Sequence, residues 1–295
     1  MKQTQKAVLF ALLAVLCWST VATAFKLALA GMSFMMLLTI SSGVAALSLW
    51  IVLLVKKETK TLFQIPLKKL GRPALKGFLN PFLYYLILFK AYDLLPAQEA
   101  LILNYTWPIV LVVFSVLFLK QKLLRFDIPS ILICFSGVIV IATKGNILNF
   151  QMDNAFGTFL ALISSVVWAL YWILNMDKKE EARIQLFLGF FVGFVLSIST
   201  LLFFPENWQI LTAQSLFAGI YVGLLEMSIP FLLWQMALTH ARSTAAVSRF
   251  IFLSPFLSLL LISLILKETI LISSFVGLLL IIGGIVVQGF GKAKT

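Results

Sequence analysis

Residues 107–121 read WPIVLVVFSVLFLKQ, and residues 254–268 read SPFLSLLLISLILKE. In each stretch a proline stands second, and a lysine follows it at the same distance after an almost unbroken apolar run. The match extends to Gly137 in the first copy and Gly284 in the second, which keep the same offset. A repeat of this kind predicts that the chain consists of two structurally similar halves.

The rest of the chain is as apolar as these two stretches. Its 295 residues are 61% hydrophobic and 12% charged, and the mean hydropathy is +1.06. Soluble domains are about half apolar and about a quarter charged, so the composition argues against a soluble enzyme, a nucleic-acid module or a disordered protein. A bilayer core of about 30 Å needs about 20 apolar residues per helix, which leaves room for roughly ten spans.

Ten apolar stretches separated by mostly short linkers account for nearly the whole chain. They are too long for strands and lack a polar residue at every second position. The pattern predicts an all-α polytopic membrane protein with ten transmembrane helices. The predicted spans are residues 7–29, 31–55, 74–92, 95–119, 127–144, 155–176, 184–204, 214–238, 242–266 and 270–290.

Lysine and arginine fall mostly on one side of the predicted membrane. With the N-terminus inside, 18 of the 23 lie in cytoplasmic segments, so we expect both termini to be cytoplasmic in the inner membrane. We also expect the first span to remain uncleaved, because its removal would upset this alternation. The basic residues behind the net charge of +12 therefore set the topology and contact anionic membrane lipids. Their excess does not predict binding of nucleic acid.

The repeat unit contains five predicted helices, with the first copy in residues 1–147 and the second in 148–295. An odd number of spans forces the second copy to insert upside down. Inverted repeats are typical of secondary transporters, whose substrate site lies near the membrane midplane between the two halves. The repeat therefore predicts a transporter that works by alternating access.

Two short motifs carry a resemblance to a known family. LCWST occupies residues 16–20 in the first span, and NYTWP occupies residues 104–108 in the fourth. The chain resembles the drug/metabolite transporter superfamily, of the EamA type with two five-helix domains, and the motifs are similar to those of the aromatic amino-acid exporter branch. Glu268 matches an acidic residue usual after the fourth helix of the repeat, whereas Gln121 departs from it. The resemblance implies a central cavity lined by spans 1, 3, 4, 6, 8 and 9.

Prolines interrupt four spans at paired positions in the two halves. A proline inside a helix frees a backbone carbonyl and bends the helix. Proline is common in membrane helices in any case, but interrupted helices at matching positions are a sequence signal for a transport site. The predicted gating kinks are Pro81, Pro108, Pro230 and Pro255.

Four ionisable residues lie three or more residues from either end of a predicted span. Each costs at least about 2.5–3.5 kcal/mol on a lipid-facing helix, so each should face a cavity or a partner. Lys26 and Glu99 lie at similar depth near the outer surface, and Glu226 and Arg249 lie nearer the centre. Both pairs are either structural ion pairs or sites for a proton or substrate. In the second case Arg249 holds a substrate carboxylate.

Aromatic side chains lie deep in several spans. Trp18, Trp107 and Trp168 are about a dozen residues inside, which is too deep for a headgroup belt. A cavity with aromatic walls and a few hydrogen-bonding groups suits a flat or apolar metabolite. The candidate substrate-binding residues are Trp18, Ser19, Asn80, Tyr84, Asn104, Tyr105, Trp107, Trp168, Trp172, Glu226, Arg249 and Phe252.

The sequence contains neither a phosphate-binding loop nor a set of side chains that predicts catalysis. Its single histidine and two cysteines have no metal-ligand spacing, so we expect no cofactor, no metal and no enzyme activity. The favoured function is export of small metabolites, in particular aromatic or hydrophobic amino acids, by a monomer or homodimer. The alternative is an importer or flippase of a nucleotide-like or lipid-linked metabolite, which would need more cavity cations.

Overall fold

The structure is a computed structural model that describes residues 3–120, 125–146, 154–175, 182–204, 208, 211–241 and 249–292. Gln121 and the side chain of Arg249 lie outside this description. The regular elements of the described residues are fourteen α-helices and four short 3-10 or π turns. The helices are α1 (Gln3–Leu29), α2 (Phe34–Val55), α3 (Thr59–Phe63), α4 (Gly71–Gly77), α5 (Tyr84–Leu94), α6 (Ala97–Asn104), α7 (Trp107–Leu119), α8 (Asp127–Ala142), α9 (Ala155–Asn175), α10 (Ala182–Phe203), α11 (Ala213–Leu225), α12 (Ile229–His240), α13 (Leu253–Leu261) and α14 (Ile272–Lys292).

Six helical segments within the described ranges are long and apolar enough to cross a membrane. The multi-pass helical class predicted from composition is therefore confirmed, whereas the count of ten spans and the two repeats stay predictions. Shorter apolar helices fall on three of the other predicted spans, and the remaining one is bent at Pro81. The six segments are Gln5–Leu29, Phe34–Val55, Ala97–Leu119, Ala155–Asn175, Ala182–Phe203 and Ala213–His240.

A break in regular α-helix lies at each of the four prolines. Pro81 follows Asn80, whose φ of −145° and ψ of 117° are not helical, within the π turn Phe78–Leu83. Pro108 and Pro230 lie in the first turns of α7 and α12, after turn residues that separate each from the preceding helix. Pro255 lies in the first turn of α13, after the 3-10 turn Arg249–Phe252. The use of these breaks as gates stays a prediction.

The two halves of the chain interleave. Helix α1 packs against α11, α12 and α13 of the second half, and α9 packs against α5, α6 and α7 of the first half. Helix α2 contacts α10 and α11, while α8 packs along α14. Each half therefore lends its first long helix to the other, and a central cavity is bounded by both.

Contacts between segments that are distant in the sequence define the two ends of the bundle. At the end where α1 begins, the Phe10 ring lies 5.7 Å from that of His240, at the end of α12. At the opposite end, Lys26 Nζ donates to the carbonyl of Leu95 at 3.1 Å. We call these the inner and the outer end, in line with the predicted orientation.

Glycines allow the closest helix contacts. A Cβ added at Gly193 of α10 would lie 2.3 Å from Pro81 Cγ, and one at Gly77 would lie 2.4 Å from the carbonyl oxygen of Gly189. Helices α11 and α2 meet in the same way at Gly223. A side chain at any of these positions would force the neighbouring helices apart, as is typical of glycine at close contacts between membrane helices.

The two repeated stretches have related local structure. Lys120 and Lys267, the paired lysines, both end their helices with positive φ, at 53° and 56°. Between α8 and α14, the backbone oxygen of Gly277 faces Gly137, and that of Ser130 faces Gly284. The repeat offset relates Gly137 to Gly284 and Ser130 to Gly277, so the two contacts join corresponding residues. A two-fold relation between the halves would require such a pair of contacts.

Candidate functional site

The largest group of predicted site residues lines one cavity of about 350 Å³ between the two halves. We call it the aromatic cavity, because eight of its lining side chains are tryptophan or tyrosine and one more is phenylalanine. Its lining residues include eight of the twelve candidates. These are Trp18, Tyr84, Asn104, Tyr105, Trp107, Trp168, Trp172 and Glu226.

Ring contacts hold the walls of the aromatic cavity in place. Tyr84 stacks on Trp168 with a centroid distance of 4.6 Å, and Trp107 is nearly parallel to Trp172 at 6.4 Å. Trp18 meets Trp234 across the halves at 5.5 Å. Such pairs add stability beyond area burial, and the paired side chains present aromatic surface to the cavity.

Glu226 is the one carboxylate among the described residues that line this cavity. It lies in the break between α11 and α12 and is 8% exposed. Its Oε1 accepts a hydrogen bond of 2.9 Å from the Tyr85 hydroxyl, and its Oε2 is buried without a hydrogen-bond partner among the residues that the structure describes. An unpaired carboxylate oxygen in an apolar setting is costly, so the site favours a proton or a donor group there.

The break between α6 and α7 is held by side-chain hydrogen bonds to neighbouring helices. Asn104 Oδ1 accepts from the Tyr84 hydroxyl at 3.2 Å, and its Nδ2 donates to Ser164 Oγ at 2.9 Å. The hydroxyl of Thr106 lies 3.0 Å from that of Ser165. The NYTWP motif therefore joins α5, α6 and α9 beside the cavity.

A second cavity of about 310 Å³ lies toward the inner end, and we call it the polar cavity. It shares Trp172, Trp234 and Leu238 with the aromatic cavity. The predicted residue Asn80 lies in its lining, together with Lys76. The two cavities form adjacent chambers along the interface between the halves.

Two predicted substrate residues, Ser19 and Phe252, are placed outside the lining of both cavities. The Ser19 hydroxyl donates to the Val15 carbonyl of its own helix at 2.6 Å, so it serves helix α1. Phe252 is partly buried against the core and is not among the lining residues of either cavity. The side chain of Arg249 lies outside the described residues, so its pairing with Glu226 stays a prediction.

The expected pair Lys26–Glu99 is replaced by other contacts. Lys26 Nζ donates to the carbonyls of Tyr92 and Leu95 at 2.8 and 3.1 Å, and Glu99 Oε1 lies 3.9 Å from Lys144 Nζ. The backbone carbonyls at the C-terminal end of α5 lack partners within the helix, so they compete with Glu99 for the Lys26 ammonium group. Depth along a helix, which suggested the pair, does not fix the direction in which each side chain points.

The outer end is closed by a polar network that we call the outer seal. Glu268 accepts from the backbone N–H groups of Ala97 and Gln98 at 3.0 and 3.4 Å, at the start of α6. The Gln98 side chain donates to the Thr269 carbonyl and accepts from the Leu271 N–H, both at 3.0 Å. A carboxylate at a helix N-terminus is favourable, so this network joins the two halves above the aromatic cavity.

At the inner end, an exposed ion pair joins the two halves of the chain. Arg183 Nε, at the start of α10, donates to both carboxylate oxygens of Glu58 at 3.1 and 2.9 Å. The hydrogen bond from this guanidinium lowers the pKa of the Glu58 carboxyl below its ordinary value. Because the pair is exposed to solvent, its contribution to stability is small.

Sequence reasoning missed several residues that complete the cavities. Tyr85 is fully buried and holds Glu226, although it sits next to Tyr84 and faces a different direction. Trp234 lies one turn after Pro230, a spacing that could have placed it on the cavity side. Lys76, near the start of the third predicted span, was not among the candidate site residues. No group of three or more potential metal ligands occurs in the described part of the chain.

An interleaved bundle of membrane-spanning helices around a shared central cavity defines a multi-pass membrane protein of the transporter class. The sequence profile of the EamA-like transporter family matches residues 5–143 and 155–289. The chain therefore belongs to the EamA-like transporter family, as its motifs indicated.

Individual relatives are distant. An uncharacterised transporter of Acidianus ambivalens is 30% identical over 161 residues, which cover 52% of this chain and 60% of that protein. The aromatic amino acid exporter YddG of Escherichia coli is 24% identical over 197 residues, covering 64% and 65%. The chain thus spans less than two thirds of the length of either relative. One crystal structure aligns with this protein over 98% of each chain, with a TM-score of 0.66 and 20% sequence identity. This similarity shows the fold alone.

Proposed function

We propose that this protein is a secondary transporter that exports small aromatic metabolites, above all aromatic amino acids, across the inner membrane. The observation that carries the proposal is the aromatic cavity with Glu226 in its wall. Aromatic faces bind a flat ring and attract cations, and a carboxylate binds an ammonium group. An aromatic amino acid presents both groups.

Three further facts support this proposal. The chain belongs to a transporter family, and one of its relatives is named as an aromatic amino acid exporter. Both halves contribute side chains to the cavity, as alternating access requires. Within the described lining of the aromatic cavity there is no basic side chain, which disfavours the alternative of a phosphate-bearing nucleotide or lipid-linked substrate.

Transport by purified protein in proteoliposomes tests the proposal. The assay compares movement of labelled phenylalanine, tyrosine and tryptophan with that of leucine and a nucleoside monophosphate. Glu226→Gln should fold, yet slow transport of the aromatic amino acids about tenfold or more, because a hydrogen bond to a charged group is worth about 1.5–3 kcal/mol. Transport of all five compounds at one rate would contradict the proposal.

Glu99→Gln is the matched control. Glu99 is 6% exposed, so the change removes a carboxylate of similar burial that lies in the lining of neither cavity. It should leave the preference for aromatic over aliphatic substrates unchanged. If both variants lost the same fraction of aromatic amino-acid transport, the effect would come from loss of any buried carboxylate, and the specific role of Glu226 would be rejected.

A further inference from the structure

The polar cavity lies between the aromatic cavity and the inner end. A substrate site in the aromatic cavity alone does not explain the polar side chains that line this second cavity. Its lining includes Asn175 and Ala182, the residues at which α9 ends and α10 begins at the inner end. A substrate that passes between the aromatic cavity and the cytoplasm would cross this chamber.

Buried polar atoms without hydrogen-bond partners cluster in the residues of this lining. They are both side-chain amide atoms of Asn80, the indole Nε1 of Trp172 and Oε1 of Gln185, each assessed within the described part of the chain. Asn80 is only 2% exposed. An unsatisfied buried polar atom costs about 1–3 kcal/mol, so several of them around one chamber indicate that a ligand satisfies them during the cycle.

Lys76 adds charge to this cluster. It lies one turn before Asn80, is 5% exposed, and is the one charged side chain in the described lining of the polar cavity. Lys76 makes other contacts as well, so its role here is to supply positive potential at the cavity wall. A buried ammonium favours an anionic partner, because the pair offsets the loss of hydration.

The donors in this set match a carboxylate. Lys76 Nζ, Asn80 Nδ2 and the Trp172 indole N–H are donors on three side chains, and charged donors bind carboxylates most strongly. The oxygens of Asn80 and Gln185 accept, which suits a neighbouring ammonium group. A volume of about 310 Å³ lies in the usual range for small-molecule sites, about 300–1,000 Å³.

We propose that the polar cavity is a second substrate site, which binds the carboxylate of an amino acid through Lys76, Asn80 and Trp172 between the cytoplasm and the aromatic cavity. The identity of the amino acid rests on the proposed function, whereas the carboxylate specificity rests on this cavity. The ring of the bound molecule lies against Trp172 and Trp234, which both cavities share.

Binding of an acid and of its amide separates this site from the aromatic cavity. Equilibrium dialysis of the detergent-purified protein gives dissociation constants for phenylalanine and phenylalaninamide, which differ only at the carboxylate. The wild type should prefer the acid about tenfold, and Lys76→Met should reduce this preference to near one. Lys69→Met is the matched control, because it removes the same charge from an exposed position at the same end.

Trp172→Phe provides a second variant that keeps an aromatic ring, smaller than indole, and loses the N–H donor. It should lower the acid preference severalfold, and it gives the answer if Lys76→Met does not fold. Retention of the full acid preference in a folded Lys76→Met or in Trp172→Phe would overturn the inference.

Indole-3-acetate and its amide distinguish failure of this inference from failure of the proposed function. If the wild type binds indole-3-acetate but no aromatic amino acid, the proposed substrate is wrong, and the same acid-to-amide comparison on this pair decides the site. If the wild type binds no aryl carboxylate at all, both proposals are overturned.

Discussion

At the scale of single residues, the contact between Tyr85 and Glu226 joins helix α5 to the break between α11 and α12. The hydroxyl of a fully buried tyrosine donates to one carboxylate oxygen, and the other oxygen has no partner in the described residues. Because the pair is buried, removal of either partner leaves a polar group unsatisfied. The pair therefore fixes the position of the carboxylate in the cavity wall and also contributes to stability.

Tyr85→Phe should lower the free energy of unfolding by about 1–3 kcal/mol, because it leaves the Glu226 carboxylate without its donor. A double-mutant cycle with Glu226→Gln should give a coupling energy of at least about 0.5 kcal/mol. The measurement is thermal or denaturant unfolding of the four proteins in detergent. Additive effects of the two substitutions would show that the hydrogen bond contributes nothing to stability.

Residue types in deep positions were predictable, but the direction of each side chain was not. Trp18, Trp107 and Trp168 follow from their distance from the span ends, and all three line the aromatic cavity. Lys26 and Glu99 were paired by depth alone, and both found other partners. Since neighbouring residues on a helix point about 100° apart, small errors of helix position or bend redirect a side chain.

At the scale of elements, apolar length and proline position gave most of the helix boundaries. Breaks lie beside Pro108 and Pro230 as expected, because proline removes a backbone donor and clashes with the preceding turn. The polar linker of residues 56–73 contains the short helix α3, which apolar periodicity does not detect. Short elements depend on local capping and tertiary contact, so their patterns are weak.

The contact between α8 and α14 provides a stability test on adjacent glycines. A Cβ at Gly284 would lie 2.5 Å from Cys134 Sγ and 2.8 Å from the Ser130 carbonyl oxygen, whereas one at Gly283 would meet nothing within 4 Å. Gly284→Ala should therefore destabilise the protein by about 1–3 kcal/mol through overpacking. Gly283→Ala should be neutral or stabilising by up to about 1 kcal/mol, because alanine favours helix.

Thermal unfolding of the two alanine variants in the same detergent measures this difference directly. The substitutions are chemically identical and lie on consecutive residues, so changes in helix propensity cancel. Equal melting temperatures would mean that α8 and α14 do not meet at Gly284 in the detergent-solubilised protein.

At the scale of the whole molecule, composition alone predicted the membrane class, because no soluble surface can be built from so few charged residues. The central cavity followed from the internal repeat and the family resemblance. The interleaving of the halves did not follow from the sequence, because hydrophobic patterning shows which face of a helix is buried but not which partner buries it.

Under the proposed alternating-access function, the positions of the two cavities and of the outer seal correspond to one state of the transport cycle. The chambers lie at mid-depth and toward the inner end, while Glu268 and Gln98 close the outer end. Alternating access requires that this seal open and that the inner end close. Under this proposal we expect the strength of the seal to set how often the aromatic cavity faces outward.

Glu268→Ala should open the outer end, because it removes both hydrogen bonds from the carboxylate to the start of α6 and its interaction with the helix dipole. A reporter cysteine at Leu101, which lines the aromatic cavity and is 6% exposed, should react with an impermeant maleimide added outside about fivefold or more faster. The native cysteines are replaced by serine in every protein compared.

Glu58→Ala removes the same charge at the inner end, where the carboxylate pairs with Arg183, and should leave outside labelling unchanged. Unchanged labelling in a folded Glu268→Ala protein would mean that the seal does not control access, whereas faster labelling in both variants would point to general loosening of the bundle.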